Sequence, residues 1–386
     1  MNICLVSNLF PPIVQGEADV YVGELARALA GDHRVVVVTT EPGGHLQSHR
    51  ESTSEGVIVY RLAPFFRALD LYHPQVAATV SEILKRERPD LVHVHRWKGL
   101  SLAAVLSGVP SSAPHIPVAM TLHDNELLSP HAVIRNFNRG LVNRVGLVIS
   151  PSHYVLDQHL QRGFFRQATQ EILPYGFQGN PPPQPSPTRA GDLASVRKAT
   201  FDVLFVGPVQ SQTGIEVLVR AFRALPDPSL RLHVAGTGPS FDACKALAHA
   251  DDRIRLYGPV GNELRRALIG NADCMVVPSL WPDNYPVSIH EAFESGAVVI
   301  ASRIGGIPEM VSDGVNGLLV EPGDESGIAA AIQRLRLSPE LLAKLRASAL
   351  DTARLYDMRF HVARVIDAYQ RLLVTDRVRP FDQRAA

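Results

Sequence analysis

Short, wholly apolar runs alternate along most of the chain with stretches in which apolar residues recur every three or four positions. Asn2–Ser7, Arg34–Thr39, Val57–Arg61, Leu91–His95, Val118–Leu122 and Leu147–Ser150 have the length and composition of buried strands. Between them, Ala18–Leu29, Pro74–Arg86, Gly99–Leu106 and Ser152–Gln161 carry a helical period, the last opened by Ser152 as its cap. Glu41–Glu55 reads as a polar loop, and Gln170–Leu173 leads into Pro174-Tyr175-Gly176-Phe177. Strand–helix alternation of this kind predicts an α/β domain over residues 1–180.

The pattern breaks at Asn180–Pro187, NPPPQPSP, and a polar run continues to Thr200. Prolines at that density make an extended linker, expected over 181–200. A second α/β domain is predicted over 201–355. Its strands are Phe201–Val206, Leu230–Ala235, Ile254–Tyr257, Cys274–Pro278 and Ala297–Ala301. Its helices run from near Gly214 to Leu225, then Phe241–His249, Gly261–Ile269, Pro286–Glu294, Glu325–Arg336 and Pro339–Arg354. Asp283 or Asn284 is placed to cap the helix beginning at Pro286, Gly296 ends it, and Gly305-Gly306-Ile307-Pro308 opens another. In the last segment, 356–386, Arg359–Leu373 is a further helix, either an amphipathic cap on the second domain or a return to the first.

Length agrees with two domains, since 386 residues exceed one ordinary core. Equal numbers of basic and acidic residues, 38 each, exclude a dedicated nucleic-acid binder. Cys4, Cys244 and Cys274 are too scattered for a disulfide framework or a metal site, which fits a reducing cytoplasm. The opening MNICLVSNLFPP reads as a first strand and not a signal peptide, and no run approaches the roughly 20 apolar residues of a membrane span. A cytoplasmic protein is expected, soluble or peripheral at the inner membrane face. Arg135, Arg139 and Arg144 in IRNFNRGLVNR are either a solvated helix face or a patch for anionic lipid or an acidic acceptor. Oligomeric state leaves no trace in the pattern.

Two α/β domains joined by a linker make a cleft between strand ends, where a ligand is expected. The loop Pro282–Pro286 feeding a helix at Val287 offers backbone N–H groups to a phosphate. Glu291, in the second turn, is near enough to reach ribose hydroxyls, and Asp283 on the loop can accept from a sugar ring. Each acid taken alone is more often a solvated or capping residue. Gly16 precedes the first helix, where it either brings N–H groups to an anion or is a plain turn glycine. His123 and His95 end apolar strands, as hydroxyl ligands or as packed strand-end histidines. Asp124 either orients His123 or caps the next segment. The scattered His93, His131, His153 and His159 form no i, i+4 pair with a carboxylate base, so no metal is expected.

The run PSLWPDNYPVSIHEAFESGAVVIASRIGGIPEMVSDGVNGLLVEPGD resembles the donor-binding region of retaining glycosyltransferases of family 4, which have the GT-B fold. That family carries an acid, seven residues and a Glu, here Asp283 and Glu291, with Asp283 shortened from the usual Glu. PPIVQGEADVYVGELARAL is similar to the family's opening glycine loop and helix, with Gln15 in place of the first glycine. DLVHVHRW and TLHD resemble its two histidine-bearing strand ends. VISPSHYV, ILPYGF and DVLFVGPVQSQTGIEVLVRAF extend the likeness over nearly the whole chain.

The resemblance implies two Rossmann-like domains facing each other across a cleft, with the C-terminal helix packing back on the first. It implies a retaining transferase moving a sugar from a nucleotide sugar, UDP- or GDP-linked, to a hydroxyl of a small-molecule, lipid or glycan acceptor, with no metal or other cofactor. His123, Asp283 and Glu291 would be catalytic. The donor would lie against Gly16, Gly207, Gln210, Thr213, Gly214, Asn284, Tyr285, Pro286, Val287 and Glu291, with His95 and Asp124 toward the sugar or acceptor. One departure stands out. Where the family has Arg and Lys gripping the diphosphate, this chain has Pro208 and Thr213, and charged contacts to phosphate are stronger than neutral ones. Neutral donors at Gln210–Thr213 or another cation, Arg303 or Arg135, would have to substitute. The alternative is a non-catalytic relative that binds a sugar nucleotide or a partner.

Overall fold

A computed structural model describes residues 1–41, 49–62, 72–109, 115–178 and 200–378. The chain forms two compact units, Met1–Gln178 with Tyr356–Ala386, and Gly179–Leu355. The linker expected at 181–200 lies, up to residue 199, outside the described residues.

The first unit holds an eight-stranded sheet: β1 Asn2–Val6, β2 Arg34–Thr40, β3 His49–Ser52, β4 Ile58–Leu62, β5 Leu91–Val94, β6 Val118–Thr121, β7 Leu147–Ser150 and β8 Thr169–Ile172. Its order is β3-β4-β2-β1-β5-β6-β7-β8, parallel throughout except for β3 against β4. Parallel strands are covered on both faces, which is why Val35–Val38 can be apolar without alternation and fully buried. β3 corrects the expectation of a plain loop at Glu41–Glu55. Its sequence, HRES, has no apolar period, and pairing with β4 alone defines it as a strand.

The last helix, Met358–Val378, belongs to this unit. A short bridge leads into it: Phe177 N–H donates to Tyr356 O and Met358 N–H to Phe177 O, at 2.8 and 2.9 Å. His361 Nε2 then lies 2.7 Å from Tyr21 Oη, and Tyr369 Oη 2.5 Å from His93 Nδ1. The return of this helix to the first domain is therefore correct, and a cap on the second is not.

The second unit is a six-stranded, fully parallel sheet: β9 Phe201–Val206, β10 Leu230–Ala235, β11 Ile254–Gly258, β12 Cys274–Val277, β13 Val298–Ser302 and β14 Gly317–Val320. β14 was not among the expected strands, because four residues between glycine turns are too short to show a pattern. The order β11-β10-β9-β12-β13-β14 reverses direction between β9 and β12, as that of the first unit does between β1 and β5. At such a reversal the loops leave the sheet on opposite sides and a crevice opens at the carboxyl ends. β12 registers with β9 only at Cys274–Val203 and Met275–Leu204, so the two separate toward those ends.

Beneath the first unit's crevice lie buried histidines. Burial holds His95 down to about 3 and His361 down to about 4, against an ordinary 6.5, and it pushes His93 well down as well. These rings are neutral when folded, whereas the unfolded chain takes up their protons near 6.5. Their contribution is therefore fully present above 6.5 and declines as pH falls toward the folded values. Each should cost about 1.4 kcal/mol per pH unit across that window. Urea unfolding of the first unit should show this slope between about pH 6.5 and 4, and His361→Gln should reduce it by one histidine's share. A slope identical in the variant would refute the assignment.

Candidate functional site

In the second unit the site is built from loops that follow β9, β10, β12 and β13. Gly214 has φ +71°, and a Cβ there would lie 1.8 Å from Pro278 O. Leu280 N–H donates to Gln212 O at 2.9 Å, fixing the loop after β12 to the loop after β9. Gly305, with φ +63°, passes so close that a Cβ would meet Asp283 O at 2.2 Å, and Gly306 N–H donates to that oxygen at 2.7 Å. Asp283 is thus held through its backbone by the neighbouring loop after β13.

Its carboxyl accepts from the N–H groups of Asn284 and Tyr285, yet burial dominates and raises its pKa above the usual carboxylate value. Asn284 and Tyr285 are themselves buried. The helix that follows is Val287–Ser295, with Pro286 as N-cap and no side-chain cap bond. Capping by Asp283 or Asn284 is therefore corrected: Asp283 bonds the loop before the helix. Gly296, at φ +71°, closes the helix as expected.

Glu291 projects from the second turn and meets a residue that sequence spacing did not single out. Arg265, on the helix Asn262–Asn271, places Nη2 2.5 Å from Glu291 Oε2, both side chains being 31% exposed. Arg265 Nε is buried with no hydrogen-bond partner. Two arginines in a row at 265 and 266 were the only trace in the sequence, and pairing between separate helices has no linear signature.

Across the crevice, Gly207 N–H donates to Ala235 O at 3.1 Å, and Gln210 precedes a single 3-10 turn, Ser211–Thr213, that ends at Gly214. The Thr213 hydroxyl lies 2.8 Å from Gln210 O and 2.9 Å from Pro208 O. It staples its own loop. Of the substitute cations, Arg303 pairs with Asp313 and Glu321, each at 3.3 Å. Arg135 Nη1 donates to Ser129 O within the first unit.

In the first unit, Gly16 caps the helix Glu17–Ala30. Its N–H and that of Gln15 both donate to Asp19 Oδ2, at 3.1 and 2.9 Å. The two N–H groups just ahead of the helix are thus taken by its own first-turn acid. His123 Nε2 lies 3.2 Å from His95 Nδ1, and His123 Nδ1 2.7 Å from Tyr175 Oη. Burial keeps the His123 ring well below its ordinary pKa and the Tyr175 hydroxyl well above. His95 and Tyr175 therefore orient His123, which corrects that reading of Asp124. Asp124 instead accepts from Glu126 N–H at 2.7 Å and sits 3.7 Å from Arg96. Among the described residues no group of histidine, cysteine and acidic side chains could hold a metal ion.

Gly305→Ala should destabilise the second unit by roughly 2–4 kcal/mol, combining a left-handed alanine with a backbone clash. Gly314 shares the conformation at φ +72° but faces open space. Gly314→Ala should cost only about 1–2 kcal/mol. Denaturant unfolding of the pair checks this, and equal losses would remove the close approach as the cause.

Residues 18–177 match the family described as Glycosyltransferase Family 4, and residues 200–337 that described as Glycosyl transferases group 1. The chain is 29% identical to a D-inositol 3-phosphate glycosyltransferase of Stackebrandtia nassauensis, over 99% of this chain and 95% of that one. It is 24% identical to an uncharacterised glycosyltransferase of Methanocaldococcus jannaschii, over 87% and 89%. Sucrose-phosphate synthase from Thermosynechococcus elongatus shares its fold with TM-score 0.79 at 21% identity, covering 97% of this chain and 99% of that one. Anabaena HepE in complex with UDP-glucose does so with TM-score 0.73 at 19% identity, covering 96% and 99%. Two doubly wound units, the C-terminal helix returned to the first and these likenesses agree: the chain belongs to glycosyltransferase family 4 and has the GT-B fold.

Proposed function

We propose that this glycosyltransferase moves a sugar from a nucleotide-sugar donor to a hydroxyl of a small-molecule, lipid or glycan acceptor, with retention and without a metal. The observation that carries the reading is the crevice between β9 and β12, where Glu291 stands in the second turn of a helix whose preceding loop holds Asp283. In it, Glu291 accepts hydrogen bonds from ribose hydroxyls while Arg265 holds one of its oxygens in place. Asp283 faces hydroxyls of the transferred sugar. The HepE structures with UDP and with UDP-glucose support a uridine diphosphate donor.

Chemically, the bond from the anomeric carbon to the diphosphate oxygen breaks and the acceptor oxygen attacks from the same face. The departing diphosphate oxygen takes the acceptor's proton. His123 is neutral and brings no charge, and with both ring nitrogens held by His95 and Tyr175 it would bond a sugar hydroxyl only by exchanging one of those partners. With Pro208 and Thr213 uncharged, the leaving group depends on dipoles at helix starts, including that at Ile215, which favour negative charge.

Titration calorimetry with UDP- and GDP-sugars, alongside donor hydrolysis, tests this, and binding to none of them would sink it. Glu291→Ala should weaken nucleoside diphosphate binding about 10- to 100-fold, the loss of hydrogen bonds to a charged group. Arg265→Gln should weaken it by several fold through a misplaced carboxylate, with Arg265→Lys intermediate. Unchanged affinity in Glu291→Ala would remove that residue from the site.

A further inference from the structure

The helix Ala132–Val142 in the first unit is packed the wrong way round for a surface helix. Successive residues lie about 100° apart around the axis, so Val133, Ile134 and Phe137 share one side, while Leu141, a turn further on, packs against the core. That side faces outward: Val133 is 82%, Phe137 45% and Ile134 37% exposed. The opposite side carries Arg135, Asn138 and Arg139, and it is turned toward the protein. Arg135 Nη1 donates to Ser129 O at 3.1 Å, Asn138 Nδ2 to Leu127 O and Arg139 Nη1 to Arg162 O, both at 3.5 Å. Only Val142, at the end, is buried. An isolated apolar side chain in water is ordinary, but a helical stripe of them is a contact surface.

The segment that carries the stripe is basic, although it is bordered by Asp124 and Glu126 before it and Glu171 after it, of which Asp124 lies 3.7 Å from Arg96 and Glu171 pairs with Arg371. From Leu127 to Gln170 the chain holds Arg135, Arg139, Arg144, Arg162 and Arg166 against a single acid, Asp157. Arg139 and Arg166 are brought together in space, and Arg144 follows Asn143, which Arg166 touches. A Cβ on Gly163 would lie 3.1 Å from Arg166 Nη2 and 3.6 Å from Arg139 Cδ, and Arg166 N–H donates to Asn143 Oδ1 beside Arg144. Arg144, Arg162 and Arg166 are exposed.

We propose that this face docks on an anionic phospholipid bilayer, with Val133, Ile134 and Phe137 entering the headgroup boundary and the exposed Arg144, Arg162 and Arg166 meeting lipid phosphates. A convex stripe of apolar side chains flanked by arginine is the arrangement by which a helix lies in a membrane interface. Each basic residue near such a surface adds about 1 kcal/mol, roughly a fivefold gain in partitioning. The inference is independent of the donor site and holds whichever sugar is transferred.

Flotation of the full chain with vesicles tests it, comparing phosphatidylcholine alone with an equal mixture of phosphatidylcholine and phosphatidylglycerol. The wild type should float with the mixture, weaken as salt rises and not float with phosphatidylcholine alone. Val133→Asp with Phe137→Asp should abolish binding without shifting the thermal midpoint, since both side chains are exposed. Arg144→Gln and Arg166→Gln should each weaken it about fivefold. No preference for the anionic vesicles, or full binding by the double aspartate variant, would overturn the proposal. So would a dimer in gel filtration that Phe137→Asp converts to monomer, because a second copy would then cover the face.

Discussion

The crevice of the second unit depends on backbone passing backbone without room for a side chain. Gly214 lies against Pro278 O, Gly236 against Gly207 O and Gly305 against Asp283 O, each closer than any Cβ permits. Loops that leave different strands are thereby fixed to one another as firmly as paired strands. The consequence is chemical as well as mechanical. Asp283 owes its place to a glycine turn twenty-two residues further along the chain, and its loop bonds do not depend on a ligand being present. Preorganisation of this kind lets a site act on developing charge without first rearranging.

The first unit solves the same problem with side chains. Tyr21, Tyr175, Tyr369, His93, His95, His123 and His361 interlock by hydrogen bonds and ring contacts at the carboxyl ends of its central strands. Hydroxyls and neutral imidazoles can each donate or accept, so the network needs no buried charge, and it leaves His95 Nε2 as a buried atom without a hydrogen-bond partner. The orientation of His123 is a consequence of this network, its ring fixed through both nitrogens.

Most of the architecture was legible in the sequence, because buried parallel strands announce themselves as unbroken apolar runs. Leu147–Ser150, Phe201–Val206 and Leu230–Ala235 begin and end where the pattern says. What escaped were elements defined by neighbours alone: β3, polar throughout, and β14, four residues long. The site divides along the same line. Asp283 and Glu291 were readable from a motif spacing, whereas Arg265, Tyr175 and Tyr369 act across distances of 26, 52 and 276 residues, which no local pattern encodes. Gly16 was legible as a helix start but not as one already occupied, since the decisive group, Asp19, looks like any first-turn acid.

The return of the last helix to the first unit also sets an order of events. Tyr369 fills the space beside His93 and His361 that beside Tyr21, yet the ribosome makes the whole second unit before either arrives. At roughly 5–20 residues per second, that interval is on the order of ten to thirty seconds. The second unit, contiguous in sequence, can close as it emerges. The first must wait with its tyrosine–histidine face open, so the amino-terminal half of the chain is the last part to be finished.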